Sequence, residues 1–546
     1  MDEYFAINAS FSPLFTVLFY GGTTLALLII WRIIRYYRTL VLIPVFESNK
    51  KHNYNVIDVW SHSVYCSICE DLIADGMYCD FCGICCDKQC VTKADQTLHC
   101  KQSSTSISEN FECQWIRGNL PLHSVCFVCG EDCGDETSLK DYRCCWCQRA
   151  VHEEERCFKK VKKRECDFGH WASCIIPPFA IKTKYIWYNG KRKLIVDSLN
   201  EIETSSDWRP LVVITNRKSG NNDGHKILRA FHYLLNPAQV IDLSESPLET
   251  ALEWCQMLEK YEKNVKVRIL IAGGDGTIGW VLNAIEKLKL DPKPLIAILP
   301  LGTGNDLSRV LGWGTSFSPD TQMKDVLRNL QTASVTELDR WEVKFSHLRR
   351  SFSLPLRAKS LYMNNYFSVG VDALVALNFH QTRESALYRL LGNRILNKFL
   401  YLSYGTKDVL ERKCSLLNEK IRLFMDGKRI ELPQLESIVV LNIPSWGGGA
   451  NIWSLGHGGD TAPLQLINDQ KVEVLGLYSS FHIGQLMIGL SEPLRFGQAS
   501  IVTIELLDNL PVEVDGEPFL QSPTNISISW CSKASMLVTK DNLLYM

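Results

Sequence analysis

Two glycine loops that each contain acids are the part of this sequence best suited to chemistry. They have the sequences GGDGT at residues 273–277 and GTGND at residues 302–306, and each follows a short apolar run. Glycines allow backbone N–H groups to approach phosphate oxygens, and the N-terminus of a following helix favours an anion. Phosphate would repel Asp275 and Asp306 unless these side chains bind Mg²⁺ or take up a proton. The loops therefore predict a catalytic phosphate site, and plain tight turns are the alternative.

The segments around these loops predict the elements that position them. Continuous apolar runs typical of buried parallel strands occupy residues 211–214, 239–243, 267–272 and 295–299. Helical patterns occupy residues 226–235 and 248–261, and a third polar loop, residues 216–220, follows the first apolar run. This alternation predicts a doubly wound α/β domain with its phosphate site at the strand ends.

Composition and missing motifs exclude several classes of protein. The 59 Lys and Arg residues against 60 Asp and Glu residues give a net charge of -1, so we expect no nucleic-acid partner. The 22% of charged and 46% of hydrophobic residues exclude wholesale disorder. The sequence lacks the GxxxxGK[ST] motif and an HRD/DFG set, so neither a P-loop NTPase nor a protein kinase fits.

The cysteines are concentrated in one part of the chain. Of 21 cysteines, 17 lie between Cys66 and Cys166. Two tandem arrays of CxxC pairs with spaced single ligands are typical of Zn²⁺ sites, and modules this small need the metal to fold. A disulfide-rich secreted protein would spread its cysteines more evenly. We therefore expect a zinc-binding region joined to a cysteine-poor body.

The N-terminal residues predict a membrane segment. Residues 5–31 carry no charge, which is long enough to cross about 30 Å of hydrocarbon as a helix. Acids precede this stretch and Arg32, Arg35 and Arg38 follow it, which places the rest of the chain in the cytoplasm. We predict a tail at 1–12 and a transmembrane helix at 13–38, in the endoplasmic reticulum or plasma membrane. A re-entrant hairpin and a buried soluble helix are the alternatives.

The cysteine arrays resemble two C1 domains of the protein kinase C type, at residues 52–100 and 113–166. Carried over by position, the resemblance implies four zinc sites, two in each domain. The first domain would use His52, Cys79, Cys82 and Cys100 for one site, and Cys66, Cys69, Asp87 and Cys90 for the other. The second domain would use Cys113, Cys144, Cys147 and Cys166, and then Cys126, Cys129, His152 and Cys157.

The arrays depart from the C1 pattern at three points. Asp87 stands where the family has His, and Cys85 or Cys86 is an alternative ligand there. Cys113 occupies an opening His position, and the spacing from His152 to Cys157 is two residues too long. C1 domains bind diacylglycerol or phorbol ester, or serve as docking modules, and the irregular spacing favours docking. The basic run at 159–164 is either a contact for anionic lipid or a solvated loop.

Beyond a connector at 167–207, residues 208–546 resemble the diacylglycerol kinase family and its sphingosine and ceramide kinase relatives. The glycine loops carry this resemblance, together with MNNYFSVG (363–370), RILNK (394–398) and VDGEP (514–518). The order of segments is most similar to the epsilon-type diacylglycerol kinases. The resemblance implies a multidomain α+β protein with an α/β nucleotide-binding lobe at 208–337 and a β-rich, sandwich-like lobe at 338–546.

The resemblance also implies roles for individual residues. Asp275, Asp306 and Glu517 would be catalytic, with Asp306 and Glu517 both open as the general base. Asp469 and Asp515 would help to hold Mg²⁺, although Asn468 replaces an acid that is common in the family. The phosphates of ATP would lie on Asn216, Ser219, Gly220, Gly273, Gly274, Gly276, Thr277, Gly302, Thr303, Gly304 and Asn305.

The activity that follows is transfer of the γ-phosphate of ATP to 1,2-diacylglycerol, which gives phosphatidic acid. The epsilon type implies a preference for arachidonoyl chains in phosphoinositide turnover. The expected cofactors are ATP, Mg²⁺ and Zn²⁺, and the expected partners are diacylglycerol and membrane lipids. A ceramide or sphingosine kinase, and a C1 adaptor with a dead kinase region, are the alternatives.

Overall fold

We describe the protein from a computed structural model. It describes residues 26–27, 30, 52–57, 64–105, 111–133, 140–188, 191–200, 207–217, 219–220, 223–245, 248–261, 266–318, 320–346, 359–384, 414–455 and 463–540. None of the helices within these ranges combines the length and the apolar character needed to cross a membrane. The predicted tail at 1–12 and almost all of the predicted membrane helix at 13–38 lie outside the described residues.

The strands are numbered in chain order. They are β1 (Tyr54–Val56), β2 (Gly76–Cys79), β3 (Cys85–Asp87), β4 (Trp115–Arg117), β5 (Ser124–Val125), β6 (Asp132–Cys133), β7 (Tyr142–Cys144), β8 (Ala150–Val151), β9 (Ile181–Tyr188), β10 (Lys191–Leu199), β11 (Leu211–Thr215), β12 (Val240–Asp242), β13 (Arg268–Gly273), β14 (Leu295–Pro300), β15 (Ser334–Ser346), β16 (Lys359–Met363), β17 (Tyr366–Gly370), β18 (Ile421–Met425), β19 (Lys428–Ile430), β20 (Ser437–Leu441), β21 (Val472–Leu477), β22 (Leu494–Ala499), β23 (Ile501–Leu506), β24 (Leu510–Val514), β25 (Glu517–Gln521) and β26 (Thr524–Val538).

The α-helices are numbered in the same way. They are α1 (Val91–Thr97), α2 (Glu155–Val161), α3 (Asp223–Leu234), α4 (Leu248–Tyr261), α5 (Asp275–Lys287), α6 (Asp306–Val310), α7 (Met323–Thr332), α8 (Val371–Glu384), α9 (Leu417–Lys420) and α10 (Ser480–Met487).

The first catalytic lobe is built on a parallel sheet with the strand order β12-β11-β13-β14. Strands β11, β13 and β14 are buried along their whole length, as their continuous apolar runs predict. Helices α3, α4, α5 and α7 are amphipathic and pack their apolar residues on the sheet. The α/β lobe expected from the sequence is therefore confirmed.

The second lobe is a pair of facing antiparallel sheets. One has the order β22-β21-β20-β17-β24-β25, and the other contains β15, β16, β18, β19, β23 and β26. Apolar residues from both sheets, such as Phe367, Val512, Ile504 and Ile528, form one shared core. The lobes are not cleanly sequential, because the fifteen-residue β26 also pairs with β14 of the first lobe.

The cysteine-rich region forms small hairpins that dock on the first lobe. Strands β1 to β3 and β4, β7 and β8 form two three-stranded sheets, each with a short helix nearby. Helix α3 lies against both modules: the Lys101 ammonium donates to the carbonyl oxygen of Tyr233 (2.9 Å), and Arg143 lies over the Tyr233 ring at 4.8 Å. The apolar core of the modules is continuous with that of the first lobe.

The predicted connector at 167–207 has structure of its own. It contains the β9–β10 hairpin, and Cys174, Ile175 and Ile176 within it are buried. The side-chain amide of Gln239 fixes this segment by donating to the Cys174 carbonyl oxygen at 2.8 Å. The apolar run at residues 174–181, CIIPPFAI, is the sequence signal for this packing.

Candidate active site and metal centres

The three polar loops lie at one edge of the parallel sheet. The register pairs Thr215 with Ala272 and Gly273 with Pro300, so β11, β13 and β14 end side by side. Residues 216–220, 273–277 and 302–306 follow these ends directly. The loops approach so closely that a Cβ on Gly302 would lie 2.8 Å from the Gly274 Cα. This edge is where an open α/β sheet binds its ligand.

Asp275 is the central acid of the site. It begins helix α5, and its Oδ2 accepts hydrogen bonds from the Asp306 backbone N–H (2.9 Å) and the Asn365 side-chain amide (3.1 Å). Its Oδ1 is buried and has no hydrogen-bond partner. Burial, followed by the charges of Asp306 and Asp515, raises the pKa of Asp275 to about 7. A buried, unpartnered carboxylate oxygen is costly, which indicates that a cation or a proton belongs there.

Asp306 is buried and held from the second lobe. The Ser445 hydroxyl donates to its Oδ1 at 2.5 Å, and the Gly448 backbone N–H lies 3.1 Å from both carboxylate oxygens. Because Asn305 adopts a left-handed conformation (φ 51°) immediately before α6, the Asp306 N–H points at Asp275. The carboxylate of Asp306 therefore joins the lobes, and its backbone orients Asp275.

Asp515 fixes a turn of the second lobe. Its Oδ2 accepts from the backbone N–H (2.7 Å) and side-chain amide (2.9 Å) of Asn364, and its Oδ1 accepts from the N–H groups of Asn365 (2.7 Å) and Tyr366 (3.1 Å). With Gly516 it forms the two-residue turn between β24 and β25, both at positive φ. Four hydrogen bonds occupy the lone pairs of the carboxylate, so this geometry gives Asp515 a structural role and leaves it poorly suited to hold Mg²⁺.

Glu517 and Asp469 lie in different surroundings. Glu517 is exposed at the start of β25, and its Oε1 lies 3.6 Å from where a Cβ on Gly276 would be. Asp469 instead accepts from the Lys471 N–H at 3.1 Å, and its charge adds to burial in raising the pKa of Glu473 to about 7. The structure thus brings Glu517 to the glycine loops, whereas Asp469 contacts the Lys471 backbone and lies near Glu473. The role predicted for Asp469 beside Asp515 at Mg²⁺ stays a prediction.

A further buried acid lies behind Glu517. Glu513 on β24 accepts a hydrogen bond from the Tyr366 hydroxyl at 2.7 Å. Burial, and then the charges of Asp372, Glu517 and Asp515, raise the pKa of Glu513 to about 8. At this pKa Glu513 keeps its proton near neutral pH, and the shift reflects the negative potential of the acids around it, which favours a cation.

The predicted nucleotide-binding residues form the floor of this edge. Thr303 and Gly276 are exposed, and Thr277 and Gly304 are partly exposed. Asn305 is buried, and its amide donates to the Gly302 carbonyl oxygen at 2.8 Å, so it shapes the loop. Gly220 has φ 63° and a Cβ there would lie 3.1 Å from the Leu301 Cβ, so the loop that contains Asn216, Ser219 and Gly220 approaches the start of the loop at 302–306. Glycine is required at 220 for both reasons.

Five groups of possible ligand atoms lie in the described part of the cysteine modules, and two of them share His152. Three match the predicted sets, and all ligand atoms of each lie within 4.8 Å of one another: His52, Cys79, Cys82 and Cys100; Cys113, Cys144, Cys147 and Cys166; and Cys126, Cys129, His152 and Cys157. Separations such as 3.6 Å between the sulfurs of Cys79 and Cys100 suit a tetrahedral Zn²⁺ with bonds of about 2.3 Å. These groups are able to hold zinc.

The fourth group is less complete. Cys66, Cys69 and Cys90 lie together, whereas Asp87 is outside the group although its Oδ2 is 3.4 Å from the Cys69 sulfur. The alternative ligands Cys85 and Cys86 are buried, and neither joins a metal-ligand group in the described part of the chain. His152 also lies near Cys133 and Asp141, a second set that shares this ligand.

Sequence reasoning assigned no role to several residues that build the site. Asn364 and Asn365 connect Asp515 to Asp275, and Ser445 and Gly448 hold Asp306. The one available signal was the polar Asn-Asn pair immediately before the buried strand β17, together with the glycine run at 447–449. Neither signal indicates which acid it serves.

Two domains that are typical of one protein family match segments of this chain. The description "Diacylglycerol kinase catalytic domain" matches residues 210–338, and "Diacylglycerol kinase accessory domain" matches residues 362–518. The boundary between these two matches falls in the region where the first lobe gives way to the second.

Curated relatives share this similarity. The chain is 33% identical over 513 residues to "Probable diacylglycerol kinase 3" of Caenorhabditis elegans, which covers 87% of this chain and 62% of that protein. It is 29% identical over 565 residues to "Diacylglycerol kinase 2" of Arabidopsis thaliana, a match that covers 84% of this chain and 78% of that protein. It is 40% identical over 338 residues to "Diacylglycerol kinase 1" of the same plant, a match that covers 61% of this chain and 45% of that protein. The chain thus spans somewhat less than two thirds of the first of these relatives.

Proposed function

We propose that this chain, which matches the catalytic and accessory domains of the diacylglycerol kinase family at residues 210–338 and 362–518, transfers the γ-phosphoryl group of ATP to the free hydroxyl of a diacylglycerol. The product is a phosphatidic acid. The fold supplies what such a reaction needs, which is mainly positioning and charge stabilisation rather than covalent chemistry.

The observation that carries the proposal is the state of Asp275. A buried, unpartnered carboxylate oxygen lies at the carboxyl edge of a parallel sheet, where two glycine loops meet. A purely structural acid would have its oxygens satisfied, as those of Asp515 are. Asp275 therefore supports a reacting or metal-holding role.

The acids at this edge fit Mg²⁺. Oxygen ligands suit this ion, and a positive charge would relieve the repulsion among Asp275, Asp306 and Asp515. We propose that Asp275 is the main protein ligand. When bound, the ion neutralises charge on the phosphates of ATP.

Glu517 is our candidate for the general base. It is exposed beside Gly276 at the start of α5, so a hydroxyl that enters from solvent or from a lipid surface can reach it. Asp306, the other base left open by the sequence, already accepts from Ser445 and Gly448. This supports a positioning role for Asp306 and proton removal by Glu517, with the loops at 216–220, 273–277 and 302–306 holding the phosphates.

Finer features of the function rest on the sequence resemblance. We propose an epsilon-type enzyme with a preference for arachidonoyl chains, four zinc ions, and docking as the role of the C1 domains. We also propose association with the endoplasmic reticulum or plasma membrane, with the catalytic region in the cytoplasm.

The activity is tested with purified full-length protein in mixed micelles containing labelled ATP and Mg²⁺. Diacylglycerol, ceramide and sphingosine are offered in turn. We expect label only in phosphatidic acid, and a loss of at least 100-fold in kcat for Glu517→Gln with zinc content unchanged. Label in a sphingolipid would show that the proposed substrate is wrong. Absence of label with every lipid would refute the proposed lipid kinase activity.

A further inference from the structure

An exposed apolar surface lies next to the site, on the second lobe. It is formed by helix α10 and the residues that flank it, and we call it the α10 patch. Its exposed side chains are Tyr478, Phe481, Met487, Ile488 and Leu490, of which Phe481, Ile488 and Leu490 are 68%, 70% and 73% exposed. Contiguous exposed apolar side chains of this size mark an interaction surface.

The patch is built by a rigid support. The Ser479 hydroxyl accepts from the His482 N–H at 3.1 Å and caps α10, while the His482 ring accepts from the Tyr478 N–H at 3.1 Å. On the opposite face, Ile483 and Leu486 are buried in the core of the second lobe. Because the inner face of α10 is packed in the core, the helix is well ordered. Its outer apolar side chains are therefore exposed in the folded protein and not because the helix frays.

The composition of the patch suits hydrocarbon better than a polar partner. Residues 478–491 contain no Asp, Glu, Lys or Arg, in a chain of which 22% of residues are charged. The only ionisable side chain apart from Tyr478 is His482, which is buried and whose pKa is lowered by burial. Protein interfaces normally carry a polar rim, whereas a charged side chain is costly inside lipid hydrocarbon, so an uncharged apolar face suits the acyl region of a bilayer.

The patch is continuous with the reaction site. A Cβ on Gly447 would lie 3.3 Å from the Met487 sulfur, and the adjacent Gly448 N–H donates to the carboxylate of Asp306 at 3.1 Å. One loop therefore contacts the patch on one side and the acids of the site on the other. A lipid held by its chains near α10 would have its polar end close to the glycine loops.

We propose that the α10 patch inserts into the acyl region of a phospholipid bilayer and brings the site to diacylglycerol within that bilayer. This inference rests on the proposed lipid kinase function. It assigns lipid docking to the second lobe, independently of the C1 domains and the N-terminal segment.

Hydrogen exchange measured by mass spectrometry on the full-length wild-type protein tests the insertion without reference to activity. The protein is compared in buffer and with phosphatidylcholine vesicles that contain 5 to about 10% diacylglycerol. We expect slower exchange at residues 478–490 when vesicles are present. No binding to the vesicles, or binding without protection of this segment, would overturn the proposal.

Kinetics separate docking from chemistry. The triple variant Phe481→Ser/Ile488→Ser/Leu490→Ser is compared with Val335→Ser, a substitution at an exposed apolar residue of β15. We expect at least a tenfold loss of kcat/KM for the triple variant on vesicles and unchanged kcat/KM on dissolved dihexanoylglycerol, with no loss for Val335→Ser. An equal loss on both substrates, or none on vesicles, would overturn the proposal. If the wild type phosphorylated neither substrate, the proposed function would fail, while the exchange measurement would still decide the docking.

Discussion

Replacement of Asp275 by Asn separates the contribution of this acid to catalysis from its effect on the stability of the fold. The amide oxygen of Asn is able to accept the hydrogen bonds that Asp306 and Asn365 donate to Oδ2. The amide nitrogen then takes the place of the buried, unpartnered Oδ1. We expect lipid phosphorylation to be lost, zinc content to be unchanged, and the ligand-free protein to become more stable.

The magnitude follows from the pKa. Asp275 has a pKa of about 7 in the folded protein, against 3.8 ordinarily. The folded protein therefore keeps this proton where the unfolded chain loses it, so stability falls as pH rises from about 4 to about 7. At pH 8 the full cost is present, at most about 4 kcal/mol at 1.36 kcal/mol per pKa unit. Relaxation of the protein around the charge reduces this cost. We therefore expect Asp275→Asn to raise the free energy of unfolding by about 1–4 kcal/mol at pH 8 and by less than half of that at pH 5.

The assay is urea unfolding of zinc-saturated full-length protein at pH 5 and pH 8 without nucleotide. The control is Asp320→Asn, at an exposed position, which should change stability by about 0.5 kcal/mol or less at either pH. Titration of the zinc ligands affects both proteins alike and cancels in the comparison. A variant less stable than the wild type at pH 8, or equally stabilised at both pH values, would refute the reasoning that a buried charge is the cause.

Three other changes probe the loops, the turn and the zinc sites. Gly302→Ala should raise the KM for ATP at least tenfold, because the two glycine loops would be forced apart; Gly484→Ala, where a Cβ meets open space, should leave it unchanged in an ATP titration. Asp515→Asn should cost about 2–4 kcal/mol in thermal unfolding and lower kcat, because an amide nitrogen would face backbone N–H groups; an unchanged melting temperature would contradict the turn's role. Cys82→Ser should lose one zinc ion by elemental analysis, whereas Cys85→Ser should retain the wild-type content.

Local patterns were sufficient to predict much of the fold. The helix expected at 248–261 is α4, and apolar runs located β11, β13 and β14 to within a residue or two. These elements are specified by the periodicity of their own residues and by the glycine loops that end them. The three complete zinc-ligand sets match those that the resemblance to C1 domains implies, and the ligands of each set lie within about fifty residues of chain.

Contacts between distant segments were not predictable in this way. The hydrogen bond from Ser445 to Asp306 joins residues 139 positions apart, and that from Asn364 to Asp515 joins residues 151 positions apart. Nothing in the residues around Asp515 shows that four donors occupy its carboxylate. The sharing of Mg²⁺ by Asp515 and Asp469 stays a prediction, because the partners that fix Asp515 are remote in sequence.

Strand β26 has a consequence for how the protein is made. It pairs with β14 of the first lobe and with β15 and β23 of the second, and the Lys293 ammonium donates to the Lys533 carbonyl oxygen 240 positions later. During translation the parallel sheet must therefore wait, with the edge of β14 open, until nearly all of the chain has left the ribosome. Such long-range closure slows folding, and an open edge recruits other strands. A chain that ended before Thr524 would lack β26 and leave the edge of β14 unpaired, so we expect it to aggregate rather than to form a shorter enzyme.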